Sequence, residues 1–174
     1  MLRFLQLNRD DPSHLAMAAS LWLPFIRELN EHDGTFEPDE QILQGLQRRV
    51  NIQGSRPDMH FEIALWNGQP AAIAMFAIDL GTVYGLLPRG CGTIMGFYVE
   101  PSLRRLGLGR AFCRHIEATL RQDGASRVYL CPDGVTGAPF WAAMGYADSG
   151  LIDPDDHLPI YLRELTDHSK PTTE

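Results

Sequence analysis

Residues 98–112 read Tyr98-Val99-Glu100-Pro101-Ser102-Leu103-Arg104-Arg105-Leu106-Gly107-Leu108-Gly109-Arg110-Ala111-Phe112. An apolar run, Thr93 to Val99, reads as a strand and stops at Glu100-Pro101. A turn follows, and two glycines spaced by one residue open a helix predicted over Gly107 to Gln122. Leu108, Phe112, Ile116 and Leu120 recur every fourth residue and give that helix one apolar face. At a helix N-terminus the first N–H groups have no intrahelical acceptor, and the helix dipole leaves partial positive charge there. Glycine lets an anion approach those amides without a Cβ in the way. Arg104, Arg105 and Arg110 add cations, so the implied ligand is a phosphate or pyrophosphate. The plain alternative is a glycine-containing turn before a core helix, with the arginines as a solvated face. The strand–turn–arginine–glycine–helix order favours the phosphate reading. No Lys-Ser/Thr follows the glycines, which excludes a Walker A loop, and Phe112 stands where a dinucleotide fingerprint needs its third glycine.

On the N-terminal side, Leu2 to Leu7 predicts a strand, and Ser13 is read as the cap of a helix with Leu15, Ala18, Ala19, Trp22, Leu23, Ile26 and Leu29 on one face. Pro24 inside it leaves a kink or a split into two helices open. A second helix begins after Pro38, with Ile42, Leu43, Leu46 and Val50 toward the core. Met59 to Trp66 and Ala71 to Ile78, joined through Asn67-Gly68, predict a β-hairpin with a type I′ turn. Gly81 to Gly92 reads as a Gly-rich loop. On the C-terminal side come a strand at Ser126 to Cys131, a short helix at Gly137 to Met144, an Asp-rich loop and a last strand at Leu158 to Leu165. The predicted class is α/β (α+β): a mixed, mostly antiparallel sheet flanked by helices in the order β-α-α-β-β-β-α-β-α-β. One domain is expected over residues 1–166, with a polar tail at 167–174.

Of 174 residues, 15 are Lys or Arg and 22 are Asp or Glu, a formal charge of −7. That balance speaks against a nucleic-acid partner. Apolar content of 44% with 21% charged residues argues for a folded globular chain rather than disorder. Three scattered cysteines, Cys91, Cys113 and Cys131, make no disulfide framework, and no CxxC or HExxH supports a metal site. No apolar run approaches the roughly 18 residues needed to span a bilayer, so no membrane association is expected and the predicted location is the cytoplasm.

The central stretch resembles the GCN5-related N-acetyltransferase (GNAT) family. That family's Gln/Arg-x-x-Gly-x-Gly/Ala, after a strand ending Val-x-Pro, is matched by Val99-Glu100-Pro101 and Arg104-Arg105-Leu106-Gly107-Leu108-Gly109. Phe140-Trp141-Ala142-Ala143-Met144-Gly145-Tyr146 is similar to its second element, Phe-Tyr-x-x-x-Gly-Phe. The resemblance covers roughly residues 1–165. It implies acetyl-CoA as co-substrate, its pyrophosphate held by Arg104, Arg105, Leu106, Gly107, Leu108, Gly109 and Arg110. It also implies a pantetheine arm laid along the backbone of Phe97, Tyr98 and Val99, with Trp141 contributing to the cofactor site. The implied reaction is direct attack of a primary amine on the thioester, whose carbonyl is polarised by an amide of the Thr93–Val99 strand. The alternatives are a non-catalytic acyl-CoA-binding or sensing module and a nucleotide-binding protein.

Two family features are replaced. The tyrosine that often serves as general acid is Trp141, whose indole N–H is far too weak an acid. A glutamate base falls near Thr93. Proton removal must go elsewhere, with Asp133 or Glu100, through water, as the candidates; the plain readings, a turn residue and a solvated surface carboxylate, are favoured, and the catalytic acid and base stay unassigned. For the acceptor, Glu28, His32 and Asp33, beside Glu31 at the end of the first helix, form an acidic cluster suited to a small cationic amine or a peptide amine. Trp22, Phe25 and Phe36 are candidate pocket walls, and Cys131 a candidate acyl carrier set against a buried small hydrophobe. A homodimer is left open. The charge is divided: residues 104–127 hold six arginines against Glu117 and Asp123, a net +4, and the remainder carries −11.

Overall fold

A computed structural model describes residues 1–53, 55–81, 87 and 89–165. The expected Gly81–Gly92 loop falls partly outside these residues, and the expected tail 167–174 wholly so. The elements are β1 (Leu2–Gln6), α1 (Pro12–Asp33), α2 (Asp39–Ile52), β2 (Met59–Trp66), β3 (Gln69–Ile78), β4 (Gly92–Val99), a 3₁₀ turn (Pro101–Leu103), α3 (Leu108–Gln122), β5 (Arg127–Leu130), α4 (Gly137–Ala143), β6 (Ala147–Ile152) and β7 (Pro159–Glu164). The strands form one seven-stranded sheet in the order β1-β2-β3-β4-β5-β7-β6. The β1–β2, β2–β3, β5–β7 and β6–β7 pairs are antiparallel, and β4–β5 is parallel. The mixed, mostly antiparallel α/β class read from the sequence is the observed one.

The structure adds one strand, β6, where the sequence reads as a loop. Its residues, Ala-Asp-Ser-Gly-Leu-Ile, are almost all exposed and carry no apolar alternation. As the last strand of the sheet it needs no buried face. It is held by pairing with β7 and by Ser149 Oγ donating to the Ile160 carbonyl at 2.7 Å. The helix expected to be capped by Ser13 is capped by Asp11. The Asp11 carboxylate accepts from Ser13 N at 2.9 Å and from Ser13 Oγ at 2.7 Å, with Pro12 in the first turn. Pro24 does not split α1, which runs through to the left-handed Gly34. Asn67 and Gly68, with φ of 51° and 83°, make the expected hairpin turn.

The chain forms two compact units. The first comprises Met1–Ala77 and Ile94–Ile116. Its core gathers Leu21 and Trp22 of α1, Ile42, Leu46 and Val50 of α2, and Phe61, Ile63, Ile73 and Tyr98 of the sheet. Gly96 fits closely there: a Cβ on it would lie 3.2 Å from the Trp22 ring, which would have to give by a few tenths of an ångström. The second unit comprises Ile78–Thr93 and the described residues from Glu117 onward. Cys91, Tyr129 and Ile160 form its core. Tyr129 OH donates to Asp79 Oδ2 at 3.0 Å. The buried Glu117 accepts from Tyr146 OH at 3.1 Å and from Arg163 at 2.8 Å.

Candidate functional site

The turn from Glu100 to Arg110 is set by its backbone. Val99 ends β4, Glu100 caps the 3₁₀ turn, and Arg104 returns to extended backbone at φ −67°, ψ 156°. Arg105 (φ 67°) and Gly107 (φ 82°) then both take the left-handed conformation, which for Arg105 costs on the order of 1 kcal/mol. Leu108, only 4% exposed, anchors the first turn of α3 to the core, while Leu106, Gly107 and Arg110 stay exposed. The first helical hydrogen bond is Ala111 N to the Gly107 carbonyl, 3.0 Å. The amides of Leu108, Gly109 and Arg110 therefore have no acceptor within the helix. A Cβ added to Gly107 would meet nothing within 4 Å, so the glycine keeps an approach to these amides open.

Arg104 has other work than the sequence assigns it. Its Nε donates to the Val99 carbonyl at 2.9 Å, its guanidinium bonds Glu28 at 2.6 Å, and its charge lies 5.4 Å from the Tyr98 ring centroid. Arg104, expected on the phosphate, and Glu28, expected on the acceptor amine, are thus each other's partners. The exposed Arg105 and Arg110 remain as the cations beside the turn. Phe97 is half-buried and packs on Phe112 at 5.6 Å. Tyr98 is buried, which leaves only its backbone for a ligand. Burial, reinforced by Glu28, raises its phenol pKa. Of the remaining acceptor candidates, His32 is half-buried, Asp33 is exposed at the end of α1, and Phe36 is 86% exposed and lines no wall.

Both carboxylates read as proton acceptors are engaged in local structure. Glu100 accepts from Ser102 N at 2.9 Å and from the Ser102 hydroxyl. Asp133 accepts from the amides of Val135 and Thr136 (2.9 Å each) and Gly137 (2.7 Å), and from Thr136 Oγ1 (3.1 Å). Burial pushes the Asp133 pKa up, but the bonds from Thr136, Val135 and Gly137 outweigh it and hold the carboxyl below its ordinary value. A carboxylate so stabilised is a poor base. Trp141 is also placed differently from the expectation. It is 5% exposed and packs edge-on against Phe140 (4.9 Å) and Tyr146 (5.1 Å). Burial, and then Asp153, whose carboxylate lies 3.6 Å from Sγ, push the Cys131 thiol up to about 12.

Sequence reading missed a second constellation, Glu62 with His115. The nearly buried Glu62 carboxylate meets His115 Nε2 at 2.6 Å, and the His115 ring stacks on Phe4 at 4.0 Å. These residues come from three distant segments, and the alternation of β2 does not mark Glu62 as inward-facing.

The sequence model of the acetyltransferase (GNAT) family matches residues 17–146, three quarters of the chain. The chain belongs to the GNAT acetyltransferase family. It is an acyltransferase by membership. Among solved structures, this GNAT acetyltransferase is similar to the PaiA N-acetyltransferase of Thermoplasma acidophilum in complex with coenzyme A, with TM-score 0.70 and 12% identity, covering 94% of this chain and 99% of that one. It is also similar to the ribosomal-protein-S18-alanine N-acetyltransferase of Escherichia coli (TM-score 0.58, 15% identity, covering 98% and 99%). A predicted acetyltransferase with acetyl-CoA from Clostridium acetobutylicum shares 22% identity at TM-score 0.63, covering 86% and 92%. No curated protein matches the chain in sequence. Among the described residues, no helix is long and apolar enough to cross a membrane.

Proposed function

We propose that this chain is an N-acetyltransferase that moves the acetyl group of acetyl-CoA directly onto a primary amine. The carrying observation is the turn before α3, where Arg105 and Gly107 in left-handed backbone lead into three amides without helical acceptors. Those residues fit a pyrophosphate: the amides of Leu108, Gly109 and Arg110 can donate, Gly107 leaves room, and Arg105 and Arg110 supply exposed positive charge. The backbone of β4 from Phe97 to Val99 is the edge for the pantetheine arm, and the co-substrate supplies the activated acetyl group. The Val99 carbonyl is already taken by Arg104, which holds the end of the strand in place. With Trp141 packed in the core and Asp133 and Glu100 serving as caps, the amine proton leaves through water rather than to a dedicated side chain. The reaction then requires the amine to be neutral, so turnover rises with pH toward the amine's own pKa.

The same observations favour a second reading, an acyl-CoA-binding module without turnover, because Trp141, Asp133 and Glu100 are held in the core or in caps. Calorimetric titration with acetyl-CoA, followed by an amine panel assayed for released CoA, separates the two. Saturable binding with release supports the enzyme. Binding without release from any amine supports the module. Competition by ATP or NAD but not by CoA would overturn both.

A further inference from the structure

The two faces of the sheet in the first unit are built differently. Toward α1 and α2 the strands carry Phe61, Ile63 and Ile73. Arg49, Ile52, Gln53, Met59, Met75 and Met95 wall an apolar cavity there of about 180 Å³. Toward α3 the strands carry small side chains: Ala64, Ala72 and Ala74 have no exposed surface. A floor of methyl groups offers a helix no ridges to lock against. The ring contacts are smooth as well. Phe4 of β1 stacks on Phe112 at 5.4 Å and on His115 at 4.0 Å, with interplanar angles of 10° and 13°. Parallel ring faces hold α3 down but set its place along the sheet only loosely.

Glu62 interrupts that floor. It lies on β2 between Gln6 of β1 and Ala74 of β3 and is 6% exposed. Its neighbours Phe61 and Ile63 face α1 and α2, so strand alternation turns Glu62 toward α3. Its Oε2 lies 2.6 Å from His115 Nε2, and its Oε1 lies 4.0 Å from His60 Nδ1. A carboxylate only accepts, so His115 Nε2 carries the proton between them. A buried charged pair adds little stability over a hydrophobic pair of the same volume, because desolvation offsets the attraction. What this one supplies is direction, since the bond is satisfied at one placement of α3.

We propose that Glu62 is a positioning residue for the co-substrate site: through His115 it fixes where α3 lies on the sheet, and so where the amides of Leu108, Gly109 and Arg110 meet a pyrophosphate. The inference rests on the N-acetyltransferase reading, from which it takes the cradle. At about 1.5 Å per residue those amides lie roughly 8–10 Å from His115 along one rigid helix, so a slide of α3 reaches them undiminished. Such a site works only when its donors are held within about 0.5 Å, so a slide of about 1 Å is enough to spoil it. Phe112, on the same helix, packs on Phe97 of β4, the strand that takes the pantetheine arm in that reading. The placement of α3 therefore also sets the cradle against β4.

The test titrates coenzyme A into the full chain by calorimetry and follows thermal unfolding of the same samples. Glu62→Leu combined with His115→Phe removes both partners and leaves neither orphaned. Its melting temperature should stay within about 4 °C of the parent chain, while CoA binds at least tenfold more weakly. Glu62→Gln keeps an acceptor for His115 and can turn its amide nitrogen to His60, so it should bind CoA within about threefold of the parent. If the double variant does not fold, His115→Gln and His115→Met make the same comparison at a half-buried position. Glutamine can still donate to Glu62 and methionine cannot, so their CoA affinities should differ at least tenfold. A folded double variant that binds CoA within about threefold of the parent would overturn the proposal and leave the cradle standing. So would a Glu62→Gln that loses as much as the double variant, or equal affinities in the two His115 variants. No saturable binding of CoA by the parent chain would overturn both the proposal and the reading it rests on.

Discussion

The turn before α3 and the methionine-lined cavity are built in opposite ways. The turn is made of backbone: two left-handed residues, free amides and two exposed arginines, all within Arg105–Arg110. The cavity is made of side chains drawn from α2, β2, β3 and β4, spread from Arg49 to Met95. The difference teaches where specificity sits. A cradle of amides accepts any pyrophosphate and can be shared by a whole family. A cavity walled by side chains from four elements selects by shape. Changes to one region should therefore leave the other intact.

Gly107→Asp is the strongest way to break that comparison. Any non-glycine residue at φ 82° is strained by about 1–2 kcal/mol, and this one adds a carboxylate beside the amides meant for phosphate. Affinity for CoA should fall at least 100-fold, about 2.7 kcal/mol, in calorimetric titration. A CoA loss under about fivefold would move the cradle elsewhere.

The arginines sharpen the contrast from the other side. Arg104→Ala removes the cation from the half-buried Glu28, the bond to the Val99 carbonyl and the packing on Tyr98. It should cost about 1–3 kcal/mol of stability in denaturant unfolding, with CoA affinity changed less than about threefold. Arg110→Ala removes only an exposed charge at the helix start. It should leave Tm unchanged and weaken CoA about three- to tenfold, an effect that shrinks with added salt. The reverse pattern would restore Arg104 as the phosphate ligand and make Arg110 a bystander.

The same contrast explains what was legible in the sequence. The strand, turn and helix at residues 93–122 could be read because their determinants are local: proline to stop the strand, glycine for positive φ, and a four-residue apolar repeat. The edge strand β6 was not, since a strand with neither face buried leaves no alternation to read. The pairing of Arg104 with Glu28 was not legible for a different reason. Each has the right charge for a ligand, and the pairing that consumes both spans 76 residues. Asp133 and Glu100 show the same limit, because Asp-Gly and Glu-Pro-Ser do not reveal whether a carboxylate faces a substrate or caps its own turn. Gln53 left no signal at all, since what marks it is a buried Oε1 that accepts no bond among the described residues.

The smallest expected effect decides whether the acetyl group passes through the protein between donor and acceptor. Cys131 is the cysteine the sequence offers as a carrier. With its thiol pushed up to about 12 by burial and by the Asp153 carboxylate, only about one molecule in ten thousand is a thiolate at pH 8. The thiolate is the nucleophile, so acyl transfer to Cys131 would be slow at any pH where the fold is stable. Cys131→Ser keeps a donor beside Asp153 and nearly the same volume, and a neutral hydroxyl is a much weaker nucleophile than a thiolate, so it does not take over as carrier. Turnover should therefore stay within about twofold, and iodoacetamide should leave residue 131 of the native parent chain unmodified at pH 8. Turnover falling 100-fold, or a trapped acetyl group on Cys131 by mass spectrometry, would replace direct transfer with a two-step reaction. The same change with no loss leaves the amine to attack the bound thioester directly, which is the chemistry that a backbone cradle and a side-chain cavity can support without a catalytic acid or base.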